Sequence, residues 1–120
     1  MNDPKVLIES IFDGFTVDGI EIPVVYMFYH AHGEPYVVYM GVYADNVLRG
    51  DDDLIGFAQY YDFDVYAKGN FEKIVEQVIN KLKPYGFVWR PDRSSKDMYE
   101  VDTEYHHKTL NFSYLREESE

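Results

Sequence analysis

One stretch of the chain, residues 57–86, predicts a β-strand followed directly by an α-helix. In the strand, two kinds of side chain alternate with a period of two, which is typical of a strand with one buried face. From Phe71 to Lys83, apolar residues recur every three or four positions, the pattern of an amphipathic helix. We expect Asn70 to cap this helix and Gly86 to end it. The strand residues expected to face the core are Tyr61, Phe63, Val65 and Ala67, and those expected to face away are Tyr60, Asp62, Asp64 and Tyr66.

The rest of the chain contains further helix and strand signals. Asp3-Pro4 predicts the start of a first helix and Gly14 predicts its end. Strands are predicted from Ile20 to Tyr29, Tyr36 to Tyr43, Phe87 to Arg90 and Tyr105 to Leu115, with brief pairing at Met98 to Val101. The connections predicted between them are a hairpin loop from His30 to Pro35, a long connection from Ala44 to Gly56 and a polar loop from Pro91 to Asp97.

Together these elements predict an α+β fold. Two helices would pack on one face of a mostly antiparallel or mixed sheet of about five strands, in the order α-β-β-β-α-β-β. The length of 120 residues fits one domain over residues 1–120, with 116–120 as a disordered tail. Trp89 is expected to fill the core opposite Phe112. In the last strand, Leu110, Phe112 and Tyr114 are expected to face inward, and Thr109, Asn111 and Ser113 outward.

Charge and composition exclude several classes of function. The chain has 22 acidic and 11 basic side chains, a formal charge of −11, which disfavours tight binding to nucleic acids or anionic membranes. It has no cysteine, which excludes disulfides, thiolate metal sites and thiol catalysis. The start, Met1-Asn2-Asp3-Pro4, lacks the basic segment of a signal peptide, and no apolar run approaches the roughly 18 to 20 residues of a membrane span. We therefore expect no targeting segment.

Three groups of polar residues offer chemical interpretations. His30, His32 and Glu34 are spaced two apart, so an extended strand would place them on one face, where they could hold a metal ion. The acidic run at 51–53 does not match the calcium-loop pattern. Asp62 and Asp64 lie on one strand, whereas catalytic carboxylate pairs usually come from two. Phosphate-loop, Gly-x-Ser-x-Gly and His-Glu-x-x-His motifs are absent from the sequence. These observations favour a non-enzymatic contact protein, with a metal-binding or enzymatic domain using His30 and His32 as the alternative.

Six short segments follow one another in a distinctive order. They are Ile22-Pro23-Val24, Pro35-Tyr36-Val37-Val38-Tyr39-Met40, Ala44-Asp45-Asn46, Asp64-Val65-Tyr66, Tyr85-Gly86-Phe87 and Met98-Tyr99-Glu100-Val101. Their order and spacing resemble the tail-component family of siphoviruses and prophages of Gram-positive bacteria, similar to tail terminator (tail-to-head joining) proteins. The resemblance covers about residues 14–114. The chain departs from the family at Ala67-Lys68-Gly69-Asn70 and in the acidic run at 51–53, which lengthens the preceding loop.

The resemblance implies a structural role without catalysis or cofactors. Tail terminators form a hexameric ring that caps the tail tube, stops its polymerisation and offers a surface to head-completion proteins, while DNA passes through the ring. The implied partners are further copies of the chain, the tail tube protein and the head-completion protein, with no specific DNA binding and no membrane. The implied location is the virion tail, assembled in the bacterial host cytoplasm. A head-completion or connector component of the same phage is the alternative.

The expected contact sites are the long loops and the outward face of the strand at 60–66. Function tends to lie on loops carried by a rigid scaffold, and tyrosine is enriched at interfaces. If DNA passes through a ring, an acidic lumen would let it slide, because no counterion-releasing contacts form. The residues predicted to form the protein interface are Asp45, Asn46, Arg49, Asp51, Asp52, Asp53, Tyr60, Asp62, Asp64, Tyr66, Arg93, Ser94, Ser95 and Asp97.

Overall fold

The computed structural model describes residues 4–30, 33–50 and 53–117. Within them the chain forms two α-helices, eight strands and two short 3-10 helices, Lys83–Tyr85 and Pro91–Arg93. The helices and strands, in chain order, are α1 (Pro4–Ile11), β1 (Thr16–Val17), β2 (Ile20–Glu21), β3 (Val24–Tyr26), β4 (Tyr36–Gly50), β5 (Asp53–Ala67), α2 (Phe71–Leu82), β6 (Phe87–Trp89), β7 (Met98–Tyr99) and β8 (His106–Glu117). None of these helices is both long enough and apolar enough to cross a membrane.

The main sheet has six strands. Its order is β3-β4-β5-β8-β6, and β7 also pairs with β8, whereas β1 and β2 form a separate two-stranded sheet. All pairs are antiparallel except β3 with β4, which is parallel, with Val24 opposite Val37. The predicted α+β class and mixed, mostly antiparallel sheet are confirmed. The predicted hairpin loop from His30 to Pro35 is wrong, because the strands on its two sides run in the same direction.

The core lies between the helices and one face of this sheet, which we call the inner face. From α2, the buried side chains are Phe71, Ile74, Val78 and Leu82, and α1 adds Ile8 and Ile11. The inner face contributes Tyr61, Phe63, Val65, Ala67, Leu110 and Phe112. Fully burying one large apolar side chain stabilises the fold by about 1.5–3 kcal/mol, so this layer accounts for much of the stability. The inward residues predicted for β5, and Leu110 and Phe112 of β8, are confirmed.

Three local predictions have different outcomes. Gly14 has φ 69° just after α1, and Gly86 has φ 91°, so both adopt the left-handed conformation expected of helix-ending glycines. Asn70 does not cap α2: its own φ is 56°, and its amide donates a hydrogen bond to Asp18 at 2.9 Å. Trp89 does not fill the core. It is opposite Phe112 in the strand register but 37% exposed, since it lies on the edge strand β6.

The predicted long connection from Ala44 to Gly56 is wrong, because β4 and β5 continue through it to a pair at Gly50 and Asp53. Each strand has 15 residues, or roughly 50 Å at 3.3 Å per residue, which matches the 53 Å longest dimension of the molecule. By comparison, α2 has 12 residues and is about 18 Å long. The far half of this hairpin, residues 41–50 and 53–60, therefore extends beyond the helix layer, and we call it the arm.

At the end of the chain, β8 includes Arg116 and Glu117. The predicted disordered tail is therefore wrong for these two residues, and residues 118–120 lie outside the described part of the chain. Arg116 donates a hydrogen bond to Gln59 of the arm at 3.1 Å. The last strand thus supports the base of the arm.

Candidate interaction surface

The sheet face that points away from the helices, which we call the outer face, contains the four β5 residues predicted to face away from the core. The strand register places them beside side chains of β4 and β8 with the same orientation. Yet much of this face is not free surface: Tyr60, Asn111 and Ser113 are only 7%, 3% and 4% exposed. The residues of the outer face are Tyr36, Val38, Met40, Tyr60, Asp62, Asp64, Tyr66, His107, Thr109, Asn111 and Ser113.

Residues 90–97, which we call the cover segment, run along β8 and shield one side of the outer face. The backbone N–H of Arg90 donates to the carbonyl of Asn111 at 2.7 Å, and that of Ser95 donates to the carbonyl of Thr109 at 2.9 Å. In return, the N–H of Thr109 donates to the Ser95 hydroxyl at 2.9 Å. The polar loop predicted from Pro91 to Asp97 is therefore bound to its own sheet through much of its length.

The side chain of Ser94 makes three hydrogen bonds. Its hydroxyl accepts from the indole N–H of Trp89 at 3.1 Å and from the backbone N–H of Asn111 at 3.0 Å, and it donates to the carbonyl of Arg90 at 2.8 Å. One hydroxyl can make one donor and two acceptor bonds, so its capacity is used in full. Ser94 and Ser95, both predicted interface residues, thus have structural partners within the chain. Arg93 and Asp97 of the same segment are exposed.

Arg93 covers a pair of tyrosines at the base of the arm. The rings of Tyr43 and Tyr60 are stacked, with centroids 4.5 Å apart, and the Arg93 guanidinium lies 4.5 Å from the Tyr60 centroid and 5.2 Å from that of Tyr43. These are cation–π distances. A β-bulge brings Tyr43 to this face, because Val42 is an extra residue between the Gly41–Tyr61 and Tyr43–Tyr60 pairs. Sequence alternation alone would place Tyr43 on the inner face, and the bulge has no sequence signature that would have revealed this contact.

The middle of the outer face carries two carboxylates with neutral partners. The Asn111 amide donates to Asp62 at 2.7 Å, and the Thr109 hydroxyl donates to Asp64 at 2.6 Å. Burial raises the pKa of Asp62; the hydrogen bond from Asn111 opposes this increase, and the charge of Asp64 adds to it. The second amide atom of Asn111, Oδ1, is buried and has no hydrogen-bond partner among the described residues. This arrangement holds the acids in place within the sheet.

An aromatic group closes the other end of the outer face. The ring of Tyr66 is stacked between Tyr36, at 4.5 Å, and His107, at 4.1 Å. Burial raises the pKa of both tyrosines to about 12, and nearby carboxylates add to the effect. His107 has Asp64 3.9 Å from Nε2 and Glu100 3.8 Å from Nδ1. Tyr66 is thus packed against its own chain, and its partners His107 and Tyr36 were not among the residues predicted for the surface.

The remaining predicted interface residues belong to the arm. Asp45, Asn46 and Arg49 lie in β4 and Asp53 begins β5, so they occupy strands and not a loop. Asp51 and Asp52 lie outside the described residues. The structure therefore divides the predicted set: one group follows the arm, and the other lies about the outer face and its cover segment.

The metal-site alternative concerns His30 and His32. His30 is exposed, and His32 lies outside the described residues. In residues 4–30, 33–50 and 53–117, no group of three or more histidine, aspartate or glutamate side chains is arranged to hold a metal ion.

No protein-family model matches the chain, and no curated protein matches it in sequence.

Proposed function

We propose that this protein is a structural virion protein of a tailed phage or prophage: a tail terminator whose copies form a ring that caps the tail tube, stops its polymerisation and presents a surface for head attachment. Its partners are then further copies of itself, the tail tube protein and a head-completion protein. DNA passes through the ring without specific binding, and the formal charge of −11 favours this passage.

The observation that carries this proposal is the arm. It extends the hairpin of β4 and β5 beyond the helix layer, with β8 paired along residues 56–60 at its base, and it leaves Val42 and Tyr43 39% and 42% exposed. On the neighbouring strand, Leu115 is 48% exposed. Exposed apolar side chains on a projecting element favour a role in protein contacts. The resemblance to tail terminators implies a ring on the tail tube, in which such an arm could contact a neighbouring copy or the tube.

Electron microscopy of particles made without this protein tests the proposal. A terminator is required to stop the tube, so we expect overlong tails in its absence and tails of normal length when the gene is supplied in trans. Normal tails that remain unattached to filled heads would instead indicate the head-completion or connector role. Complete, infectious particles would overturn both functions.

A variant of the arm makes this test more specific. Val42→Asp places a charge at an exposed position of the bulge, where it should impair contacts without unfolding the chain. We expect it to fail to restore normal tail length. Val101→Asp, at a position that is 79% exposed and lies outside the arm, is the matched control and should restore it. Equal rescue by both variants would remove the arm from the proposed contact surface.

A further inference from the structure

A strained turn projects two apolar side chains from the end of β3. The backbone N–H of Phe28 donates to the carbonyl of Tyr26 at 2.8 Å, which closes a three-residue turn with Met27 at φ 72°. This γ-turn conformation is rare and strained for any residue with a side chain. Its result is that Met27 and Phe28 are 55% and 69% exposed. We call this pair the knob.

An apolar groove lies at the opposite edge of the sheet from the knob, between the end of α2 and β6. Its volume is about 330 Å³, and its lining includes Ile79, Phe87, Val88 and Trp89. A cavity of roughly 150 Å³ is large enough to bind benzene, so this groove has room for a phenyl ring and part of a neighbouring side chain. Val88 and Trp89 are 51% and 37% exposed at its rim.

The knob and the groove of one copy cannot meet. They lie beside β3 and β6, the two edges of the main sheet, with β4, β5 and β8 between them. At about 4.8 Å per strand, the edges are roughly 19 Å apart. In the described part of the chain, β3 pairs only with β4 and β6 only with β8, so neither edge strand has a second strand partner. Joining unlike surfaces of identical copies gives a head-to-tail contact, which closes into a ring when the rotation between copies fits.

The charges at the groove favour another copy of this chain as its occupant. Residues 77–90, which form the groove side, contain Lys81, Lys83 and Arg90 and no acidic residue. The chain as a whole has 22 acidic and 11 basic side chains, so this locally basic surface favours the approach of another acidic copy. The attraction acts on the copy as a whole and not on the knob, where Lys5 lies 4.1 Å from the centre of the Tyr26 ring.

We propose that Phe28 of one copy inserts into the groove between α2 and β6 of the next, and that this contact repeats around the ring. The inference rests on the ring assembly proposed above and assigns its subunit interface. One phenylalanine buries about 150–250 Å², compared with about 800 Å² per partner in a stable complex. The contact is therefore the anchor of a weak interface, for which we expect a Kd of about 1 mM between two copies.

Trp89 offers a direct readout, because it is the only tryptophan of the chain and lies at the groove. As the concentration of the wild-type protein rises to about 1 mM, we expect its emission to shift to shorter wavelength as the groove fills. Phe28→Ala should abolish the shift, whereas Val101→Ala, at another exposed position, should retain it. An emission that does not change with concentration would overturn the proposal.

A mixing experiment distinguishes a head-to-tail contact from a symmetric one. Phe28→Ala removes the knob and keeps the groove, and Val88→Glu blocks the groove and keeps the knob. Each variant alone should be monomeric by sedimentation, whereas an equimolar mixture should form dimers and nothing larger, because only one intact contact can form. Failure of the mixture to dimerise, with both variants folded by circular dichroism and the wild type associating, would overturn the inference.

Tail lengths separate this inference from the proposed function. If deletion of the gene gives overlong tails and Phe28→Ala restores normal length, the interface is wrong and the terminator function stands. If deletion leaves tails and heads normal while the mixed variants dimerise, the head-to-tail contact stands and the terminator function is wrong. If tails are overlong with the deletion and with Phe28→Ala but normal with Val101→Ala, the terminator function and the Phe28 interface are both supported.

Discussion

The inner and outer faces of the main sheet are built from alternate residues of the same strands, yet they are filled in different ways. On the inner face, apolar side chains such as Phe63 and Phe112 are fully buried beneath the two helices. On the outer face, polar and aromatic side chains are buried by hydrogen bonds and ring stacking, partly with the cover segment. The inner face is thus stabilised by burial of apolar surface, whereas the stability of the outer face depends on individual hydrogen bonds and ring contacts.

This difference predicts that truncation will be much more damaging on the inner face. Phe63 is 0% exposed and packs against the rings of Tyr39 and Phe112, with centroids 5.4 Å away in each case. Phe63→Ala should lower the free energy of unfolding by about 3–5 kcal/mol, since it removes apolar contacts and leaves a cavity. Denaturant unfolding monitored by circular dichroism measures this loss.

Leu115→Ala provides the comparison for an exposed apolar position on the neighbouring strand, where Leu115 is 48% exposed. Its effect should be within about 0.5 kcal/mol. If the two variants unfolded at similar denaturant concentrations, the buried position would contribute no more to stability than the exposed one.

The inner face could be predicted from the sequence because it follows from local periodicity. The period of two in β5 and the spacing of three and four in α2 each identify one apolar side, and the two sides must meet. The arm could not be predicted in this way. Ala44, Asp45 and Asn46 are poor strand formers, and a run with two glycines and three aspartates resembles a loop, but pairing to β5 outweighs these local preferences.

For the outer face, the sequence predicted which residues point towards it but not which residues cover it. Its coverage depends on residues that are distant in the sequence, such as Arg93 over Tyr60 and Ser94 against Asn111. Serine and arginine in a polar loop carry no signal that they will bind their own sheet. The parallel pairing of β3 with β4 was likewise hidden, because His30 to Pro35 has the composition of an ordinary hairpin turn.

Removing a polar partner on the outer face should have an intermediate effect. Asn111 is 3% exposed, and its amide donates to Asp62. Asn111→Ala should lower the free energy of unfolding by about 1–3 kcal/mol, because it leaves a half-buried carboxylate without this donor. Asn80→Ala, at an exposed position on α2, is the matched control and should be nearly neutral. A neutral Asn111→Ala would mean that water replaces the amide and that the outer face does not depend on matched partners.

Arg93 tests whether the cover segment is held by its contact with the tyrosine pair. Arg93→Ala should lower the free energy of unfolding by about 0.5–1 kcal/mol, as expected for a cation–π contact at an exposed site. A double-mutant cycle with Tyr60→Leu should show that the two losses are not additive, because each variant removes the same contact. Additive losses would show that the guanidinium and the ring act independently.

The smallest expected effect concerns the charge of Asp62 and depends on pH. Burial raises the pKa of Asp62 above its ordinary value of 3.8, so the folded chain holds this proton more tightly than the unfolded chain does. The contribution of Asp62 to stability therefore falls as pH rises from 3.8 through the raised folded value, and is constant above it. Asp62→Asn removes this ionisation and introduces an amide that can donate to Oδ1 of Asn111, an atom with no hydrogen-bond partner in the described part of the chain.

The free energy of unfolding of Asp62→Asn minus that of the wild type should therefore be larger at pH 7 than at pH 3. The change should be less than about 1 kcal/mol, because solvent screens this partly exposed group. Denaturant unfolding of both proteins at the two pH values gives the difference, and Asp92→Asn, at an exposed position, serves as the control. If the difference between variant and wild type were the same at both pH values, ionisation of Asp62 would not oppose folding. The outer face would then tolerate its carboxylates as readily as an ordinary exposed surface does, and its partial burial would have no electrostatic cost.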